Sequence, residues 1–173
     1  MFLRRKITVL LPELKAYATA LTKDADSAAD LSQEAIKKAL SASNVPKNIS
    51  DLRPWMFRII RNTHIDQIRK EKTRKEYSAD LARLSNEQYI QTPKVIEEIL
   101  IRQALIEITE KEREILYLID VMGLKYAEAA IVLDIASGTV MSRVSRARRS
   151  LLDKVERTNI TPIDRKRKSN DYK

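Results

Sequence analysis

The stretch YAEAAIVLDIASGTVMSRVSRARRSL, residues 126–151, decides the fold of this chain. In its second half, apolar residues recur at helical spacing and would bury one side of a helix, namely Val140, Val144, Ala147 and Leu151. The opposite side carries four basic residues that no acidic residue interrupts, namely Arg143, Arg146, Arg148 and Arg149. The pattern predicts a helix with one apolar face and one cationic face.

A shorter apolar helix is predicted just before it, from Ala127 to Leu133, with a corner at Asp134. Two helices joined by a tight corner, the second with outward arginines, form the helix-turn-helix arrangement that places its second helix in the DNA major groove. Taken alone, an amphipathic helix with arginines on its outer face is more often an ordinary solvated surface. The rest of the chain has to decide between these two interpretations.

The composition predicts an all-α protein. Only two of the 173 residues are glycine and five are proline, and no sustained apolar/polar alternation indicates strands. The absence of cysteine excludes disulfides, thiolate metal sites and cysteine catalysis. His64 is the only histidine and has no nearby pair of ligands, so we predict no metal site, no cofactor and no catalytic constellation.

The net charge of +9 is unevenly distributed. Residues 1–75 contain 16 Lys/Arg against 8 Asp/Glu, and the segment from Arg53 to Lys75 contains eight basic residues and two acidic ones. Such a balance indicates a polyanionic partner, nucleic acid more than membrane, since the apolar stripes are needed for a core. A basic soluble protein without such a partner is the alternative interpretation.

Three helices are predicted in the first part of the chain. The first runs from about Leu10 with Pro12 in its first turn, and the second from near Asp24 or Asp26. The long third begins at Ser50 or Asp51 with a proline in its own first turn. We therefore predict a small domain over residues 1–75, a three- to four-helix bundle. Residues 76–92 lose this periodicity and read as a flexible linker.

Helical periodicity returns after the linker. Thr92-Pro93 starts a helix, Thr109 and Glu112 fit a capping box, and Gly123 ends the helix that the box opens. With the helix-turn-helix pair, this makes a four-helix domain over residues 93–157, followed by a basic tail, predicted to be disordered, over 158–173.

The beginning of the chain, MFLRRKITVLLPELK, does not fit a signal peptide, because Pro12 and Glu13 break its apolar run. No stretch approaches the length that crosses a membrane. We expect a cytoplasmic protein without membrane insertion.

Two separated stretches together resemble the extracytoplasmic-function (ECF) sigma factors, the small two-domain promoter-recognition subunits of bacterial RNA polymerase. The first is LPELKAYATALTKDADSAADLSQEAIKKAL with DLRPWMFRIIRNTHIDQIRKEK, and the second is ITEKEREILYLIDVMGLKYAEAAIVLDIASGTVMSRVSRARRSL. Within this family, two segments are most similar to the alphaproteobacterial general-stress subgroup, namely LPELKAYATALT and ASGTVMSRVSRARRSL. Asp134, where relatives usually have Gly, and Met141, where they usually have Lys or Arg, depart from the pattern.

The resemblance implies a partner for the second helix. Its exposed polar face would meet the clamp of the largest polymerase subunit, through Asp30, Gln33, Glu34, Lys37 and Lys38. The second domain would meet the flap of the second-largest subunit. An ordinary solvated face is the alternative reading of the same residues.

The first domain would also hold the melted downstream promoter element. A base that has left the stack can be held by a loop and read on its edges, and Asn62 with the loop from Asn44 to Asn48 would hold it. Trp55 either wedges at the edge of the melted segment or packs in the core. Arg58, Arg61 and Arg69 would contact phosphates on the helix face that also carries Asp66.

The recognition helix would read the upstream element. The residues near its exposed beginning and middle are Thr139, Met141, Ser142, Ser145, Arg146 and Arg149. Arg146 is the candidate for a bidentate contact with guanine. Arg143 and Arg148 would serve phosphates or internal salt bridges.

The resemblance further implies a stress-response role and an anti-sigma protein that holds the two domains. Two rival functions stay open, namely a sigma-like decoy that sequesters an anti-sigma factor, and a helix-turn-helix regulator that binds an operator. A decoy would be expected to lose the basic faces that this chain keeps. An operator-binding regulator would leave the first domain unused, and an enzyme is the weakest alternative.

Overall fold

The computed structural model describes residues 2–76 and 93–159, and this described part contains seven α-helices and no strand. The first half holds α1 (Phe2–Thr22), α2 (Ala25–Ser41) and α3 (Ile49–Glu76). The second half holds α4 (Pro93–Glu107), α5 (Glu110–Leu116), a π-helical segment (Tyr117–Val121), α6 (Tyr126–Leu133) and α7 (Ser137–Asn159). The predicted all-α fold, with a three-helix bundle and a four-helix domain that contains a helix-turn-helix, is confirmed.

The first three helices form a bundle around aliphatic side chains. Leu14, Leu31 and Met56, one from each helix, are fully buried. The Asp24 carboxylate caps α2 by accepting a hydrogen bond from the Ser27 backbone N–H at 2.8 Å. This bundle fixes which faces of α2 and α3 remain exposed.

Two prolines lie further inside their helices than predicted. Helix α1 begins at Phe2, which puts Pro12 near its middle, and α3 begins at Ile49, which puts Pro54 beyond the first turn. Each proline removes one bond to the carbonyl four residues earlier. In α1, burial of Ile7 in the core stabilises the helical turns that precede Pro12 and offsets the loss of this hydrogen bond.

The predicted start and end of α5 are present in the structure, but a π-helical segment lies between them. The capping box pairs the Glu112 N–H with the Thr109 hydroxyl at 3.3 Å and the Thr109 N–H with the Glu112 carboxylate at 2.9 Å. The helix then continues as the wider π segment, which ends at Val121. Gly123 follows two residues later with a φ of +65°, a left-handed conformation that suits glycine. No sequence feature pointed to the π segment.

The helix-turn-helix turns at Asp134, which is in the left-handed conformation at φ 57° and ψ 48°. Its backbone N–H donates to the Ala130 carbonyl and closes α6. Buried Val132, Val140 and Val144 hold α6 and α7 together. An aspartate thus occupies the left-handed position at the corner that the sequence placed there.

The two halves are packed against each other. Helix α3 lies along α6, and the Tyr17 ring stacks with Phe57 at 4.9 Å and with Tyr117 of the second half at 6.2 Å. One continuous cluster of buried apolar residues runs through both halves. The predicted linker lies outside the described residues except for Glu76, which ends α3. Of the tail predicted over residues 158–173, Thr158 and Asn159 instead continue α7, and the remainder lies outside the described residues.

Candidate nucleic-acid and polymerase interfaces

The outer face of α7 is an exposed cationic surface. Arg143, Arg146 and Arg149 are exposed, and the described residues include no ion pair to any of them. The rest of the predicted upstream set shares this helix: Met141 is 59% exposed, Ser142 and Ser145 are exposed, and Thr139 is half-buried in the first turn. The Ser142 carbonyl accepts a hydrogen bond from Arg146 Nε at 3.3 Å, so the helix itself orients this arginine.

Arg148 lies on the same helix but differs from its neighbours. Its guanidinium donates to both carboxylate oxygens of Asp120, at 2.5 Å and 3.3 Å. The hydrogen bonds to Asp120 raise the pKa of Arg148, so the pair stays charged. Arg148 therefore ties α7 to the π segment.

A first hollow, which we call the loop hollow, opens between the end of α2, the loop after it and α3. It has a volume of about 430 Å³. Its wall includes Asn44, Trp55 and Asn62, three residues of the predicted downstream set, and is completed by Lys38, Ser41, Ala42, Ser43, Ile59 and Thr63. Trp55 is only half-buried and packs against the core on one side. The loop hollow thus has one aromatic wall and two amide side chains.

A second hollow, the polar hollow, lies further along the groove between α2 and α3 and has a volume of about 370 Å³. All five residues of the predicted polymerase-binding set line it, namely Asp30, Gln33, Glu34, Lys37 and Lys38. Glu34 is half-buried and the other four are exposed. Asp66 joins them from α3, with its carboxylate 3.7 Å from the Lys38 ammonium. The set therefore forms one mixed-charge surface.

Two of the predicted phosphate-binding arginines lie on another face of α3, which contacts the second half of the molecule. Arg58 donates to the Asp134 carboxylate at 2.9 Å, and Arg61 Nε donates to Glu114 at 2.9 Å. In this arrangement both are separated from the loop hollow.

Two further residues of the predicted downstream set lie outside the loop hollow. Arg69, further along α3, is exposed. Asn48 is also exposed, and its side-chain amide donates a hydrogen bond to the Asp51 carboxylate at 3.3 Å.

Glu114 is the centre of the contact between the halves. Only 11% of its side chain is exposed, and it accepts hydrogen bonds from both Arg61 and the Tyr17 hydroxyl, the latter at 2.9 Å. Burial, followed by the negative charge of Glu114, raises the pKa of Tyr17 well above its ordinary value, so the phenol remains a donor. Arg53 adds a third link, donating to Glu13 at 2.6 Å within its own half and to the Met122 carbonyl at 2.5 Å.

An apolar groove lies where the end of α1 meets α4, the π segment and α7. It has a volume of about 770 Å³. Ile101, Val121 and Leu152 line it, and they are 47%, 66% and 56% exposed. Lys23, Glu110 and Arg113 are among the charged residues of its wall. Exposed apolar residues gathered in one groove are typical of protein-binding surfaces.

The described ranges contain no candidate metal site and no candidate membrane-spanning helix. No group of three or more potential metal ligands occurs among these residues. None of the described helices is both long enough and apolar enough to cross a bilayer. His64 is half-buried in α3, and burial lowers its pKa although the carboxylates of Glu110, Glu114 and Glu71 act to raise it.

Comparison with known families assigns each half of the chain. Residues 7–74 match the Sigma-70 region 2 family, and residues 98–151 match Sigma-70, region 4. The ECF RNA polymerase sigma factor EcfG of Rhodopseudomonas palustris (strain TIE-1) is 36% identical over 151 residues, which cover 86% of this chain and 82% of that protein.

The chain belongs to the ECF sigma factors.

Further relatives agree with this assignment. ECF sigma factor SigM of Bacillus subtilis (strain 168) is 31% identical over 139 residues, covering 78% of this chain and 83% of that protein. The sigma factor RpoE of Bartonella quintana, solved in complex with the anti-sigma factor NepR, superposes with a TM-score of 0.67 at 29% identity, covering 89% of this chain and 96% of that one. Region 2 therefore contains α1–α3, both hollows and Asn62, while region 4 contains the helix-turn-helix.

The sequence did not single out several residues that complete these surfaces in the sigma factor. Thr63 lies in the wall of both hollows, and Glu114 joins the two regions. Thr63 shares the helical spacing of the apolar Ile59 and so resembles a core position, and Glu114 follows the capping box of Thr109 and Glu112 among other acidic residues. Only the three-dimensional packing brings Glu114 to Arg61 across 53 residues.

Proposed function

We propose that this sigma factor binds core RNA polymerase, directs it to specific promoters and helps to melt them, in a stress response like that of the general-stress subgroup. The observation that supports this best is that one chain carries both an exposed arginine surface on a helix-turn-helix and a separate hollow with Trp55, Asn62 and Asn44. An operator-binding regulator needs only the first of these. The second suits a base that has left the duplex.

The loop hollow is the proposed holder of the flipped base. A base that is out of the stack presents edges that are paired in the duplex, and its face can stack on an aromatic side chain. Asn62 and Asn44 offer amide donors and acceptors for the edges, and half-buried Trp55 offers the stacking face. Exposed Arg69 is suited to contact phosphate outside the hollow.

The polar hollow is the proposed docking surface for the clamp of the largest polymerase subunit. It presents both signs of charge on two adjacent helices, which favours a specific polar contact over a nonspecific one. Region 4 is proposed to contact the flap of the second-largest subunit. In this account the sigma factor positions DNA and the polymerase performs the chemistry, so the chain is not an enzyme, and it acts in the cytoplasm.

Upstream recognition is assigned to α7. Arg146 lies at the middle of the exposed face and is proposed to bind guanine through two hydrogen bonds. Arg143 and Arg149 flank it and are proposed to contact phosphates or further base edges, with Thr139, Met141, Ser142 and Ser145 completing the surface.

An anti-sigma factor is the proposed regulatory partner. The RpoE relative was solved with NepR, and the more distant CnrH was solved with the cytosolic domain of CnrY. The apolar groove lies at the junction of the two regions, where a helix with an apolar face would contact both at once. Such a partner would stabilise the packed arrangement, in which Arg58 and Arg61 are bound to acidic residues of region 4.

Run-off transcription with purified core polymerase tests the proposal. We expect promoter-specific transcripts that depend on the sigma factor. A decoy would bind an anti-sigma factor and yield no transcript, and an operator-binding regulator would bind DNA without binding core polymerase. The absence of transcripts with every promoter fragment of the source genome would reject the proposal.

A charge reversal locates the polymerase contact. The double substitution Asp30→Lys and Glu34→Lys should abolish binding to core polymerase with unchanged helical circular dichroism. Asp26→Lys is the matched control, because Asp26 is exposed one turn earlier on the same helix and does not line the polar hollow. Equal loss of binding in both variants would discard the assigned surface.

A further inference from the structure

The hydroxyl of Thr63 has no hydrogen-bond partner among the residues that the structure describes, although the residue is only 2% exposed. A threonine inside a helix can satisfy its hydroxyl on the carbonyl four residues earlier. Four others in the described helices do so at 3.0 Å each, namely Thr8, Thr19, Thr22 and Thr73. Ser32, the other buried polar residue of the described part, donates to the Ala28 carbonyl at 2.7 Å. Thr63 forgoes the bond that its helix offers.

Thr63 lies where this hydroxyl could contact a ligand of the hollows between α2 and α3. Thr63 belongs to the wall of the loop hollow and to the wall of the polar hollow, and within residues 2–76 and 93–159 only Lys38 also lines both. Lys38 extends from α2 to Asp66 on α3, one turn beyond Asn62 and close to Thr63 in the chain. Thr63 therefore follows Asn62 directly in α3 and belongs to the wall that the two hollows share.

We propose that the Thr63 hydroxyl is a specificity-determining contact of the loop hollow, which hydrogen bonds the edge of the flipped nucleobase beside Asn62. The inference rests on the proposed role of this hollow in promoter melting. A hydroxyl can donate or accept, so it can complete whichever edge the Asn62 amide selects. In this proposal the Lys38 side chain, which shares both walls with Thr63, leaves Asp66 when the base enters.

The free-energy balance explains why such a residue is retained. A buried polar group without a partner destabilises the free protein, and a ligand that supplies the partner removes this penalty on binding. Strain of this kind is tolerated at functional sites and seldom elsewhere. A base that fails to reach Thr63 leaves the hydroxyl unpaired, which favours the base that fits.

Substitution by valine gives effects of opposite sign on stability and on binding. Thr63→Val keeps the branched shape and removes the hydroxyl, so the thermal midpoint of the free protein should rise by about 3 °C. Binding of the holoenzyme to fork-junction DNA that bears a single-stranded downstream element should weaken by roughly 3- to 10-fold. Ser32→Ala is the matched control: it removes a hydrogen-bonded buried hydroxyl, so it should lower the midpoint and leave binding unchanged.

A cycle with abasic DNA identifies the contact. Each base of the single-stranded element is removed in turn, and the ratio of wild-type to Thr63→Val affinity is measured on each DNA. We expect the ratio to fall to about 1 at one position only, and Thr63→Ser, which retains the hydroxyl, to bind as the wild type does. An unchanged affinity of Thr63→Val on intact DNA, or an equal loss on every abasic DNA, overturns the inference. If the wild-type holoenzyme itself fails to bind the fork, the proposed function fails, and the inference fails with it.

Discussion

Helices α3 and α7 are the two arginine-rich helices of this sigma factor, yet their arginines are in different situations. On α7, Arg143, Arg146 and Arg149 face solvent, and no ion pair to them occurs in the described residues. On α3, Arg58 and Arg61 are bound to acidic residues of the other region, and Arg53 donates to a carbonyl there. The three α7 arginines are exposed to solvent, while Arg53, Arg58 and Arg61 of α3 make contacts within the molecule.

The difference shows that a cationic helix face does not by itself indicate a DNA-binding surface. Arg58 and Arg61 could contact phosphate only after leaving Asp134 and Glu114. If they serve as the proposed phosphate contacts, promoter binding by region 2 would compete with the packing of the two regions. The α7 arginines need no such change. The proposed phosphate contacts of Arg58 and Arg61 would therefore be coupled to the arrangement of the regions, and the proposed upstream contacts would not.

The largest expected effect comes from removing the acceptor at the centre of the contact. Glu114→Ala leaves the Arg61 guanidinium and the buried Tyr17 hydroxyl without their common partner. Breaking a largely buried pair in this way should lower the free energy of unfolding by about 3 kcal/mol. Urea unfolding at neutral pH measures this loss, and small-angle X-ray scattering should show an increased radius of gyration.

Glu107→Ala is the control for this substitution. Glu107 also lies in the second half and pairs with Lys154 at 3.3 Å, but its side chain is 44% exposed. The loss there should be about 0.5 kcal/mol, with no change in the radius of gyration. Equal losses in the two variants would mean that Glu114 does not link the regions.

The next largest effect tests the helix whose arginines are exposed. Arg146→Ala should cost about 2 kcal/mol of discrimination, roughly 30-fold, between an upstream element with its guanine and one in which the guanine is replaced. Fluorescence anisotropy with the two duplexes measures the ratio. Arg148→Ala should leave the ratio unchanged, because Arg148 is held by Asp120. A uniform weakening on both duplexes by Arg146→Ala would show that this residue only positions the protein.

Much of the fold could be predicted from local patterns. The α2 start at Asp24, the capping box at Thr109 and the end at Gly123 depend on side chains within a few residues, and the structure has all three. The start of α1 depends on burial of Ile7, which lies before a proline and reads as a weak helix signal. Tertiary packing sets the start of α1, and the local sequence pattern does not predict it.

The candidate site divides in the same way. The predicted polymerase-binding set could be grouped from the period of a single helix, and the structure gathers these five residues in one hollow. The environment of Arg58 and Arg61 could not, since their partners lie 76 and 53 residues away in the sequence. Whether a given face of α3 meets solvent or region 4 depends on how the two halves pack, which helical periodicity does not encode.

A smaller effect separates the two ion pairs of α3. Asp134→Asn keeps a residue that tolerates the left-handed corner and removes only the charge that Arg58 contacts. Because both side chains are substantially exposed, the free energy of unfolding should fall by no more than about 0.5 kcal/mol. The difference from wild type should vanish in high salt, where exposed charges are screened. A loss as large as that of Glu114→Ala would place the link between the regions at the corner instead.

The smallest expected effect is a pH dependence that α7, which has no histidine, cannot show. Burial lowers the pKa of His64 from 6.5 in spite of Glu110, Glu114 and Glu71, so desolvation outweighs the carboxylates. The unfolded chain then binds more protons than the folded one just below pH 6.5, and stability falls as the pH falls through this range and levels off below the folded pKa. His64→Gln should therefore lose less stability than wild type between pH 7.5 and 5.5, as measured by urea unfolding at both values. A greater loss of stability in the variant would mean that the carboxylates of Glu110 and Glu114 raise the pKa of His64 more than burial lowers it. Protonated His64 would then join Arg53, Arg58 and Arg61 as a fourth cation of α3 that faces region 4.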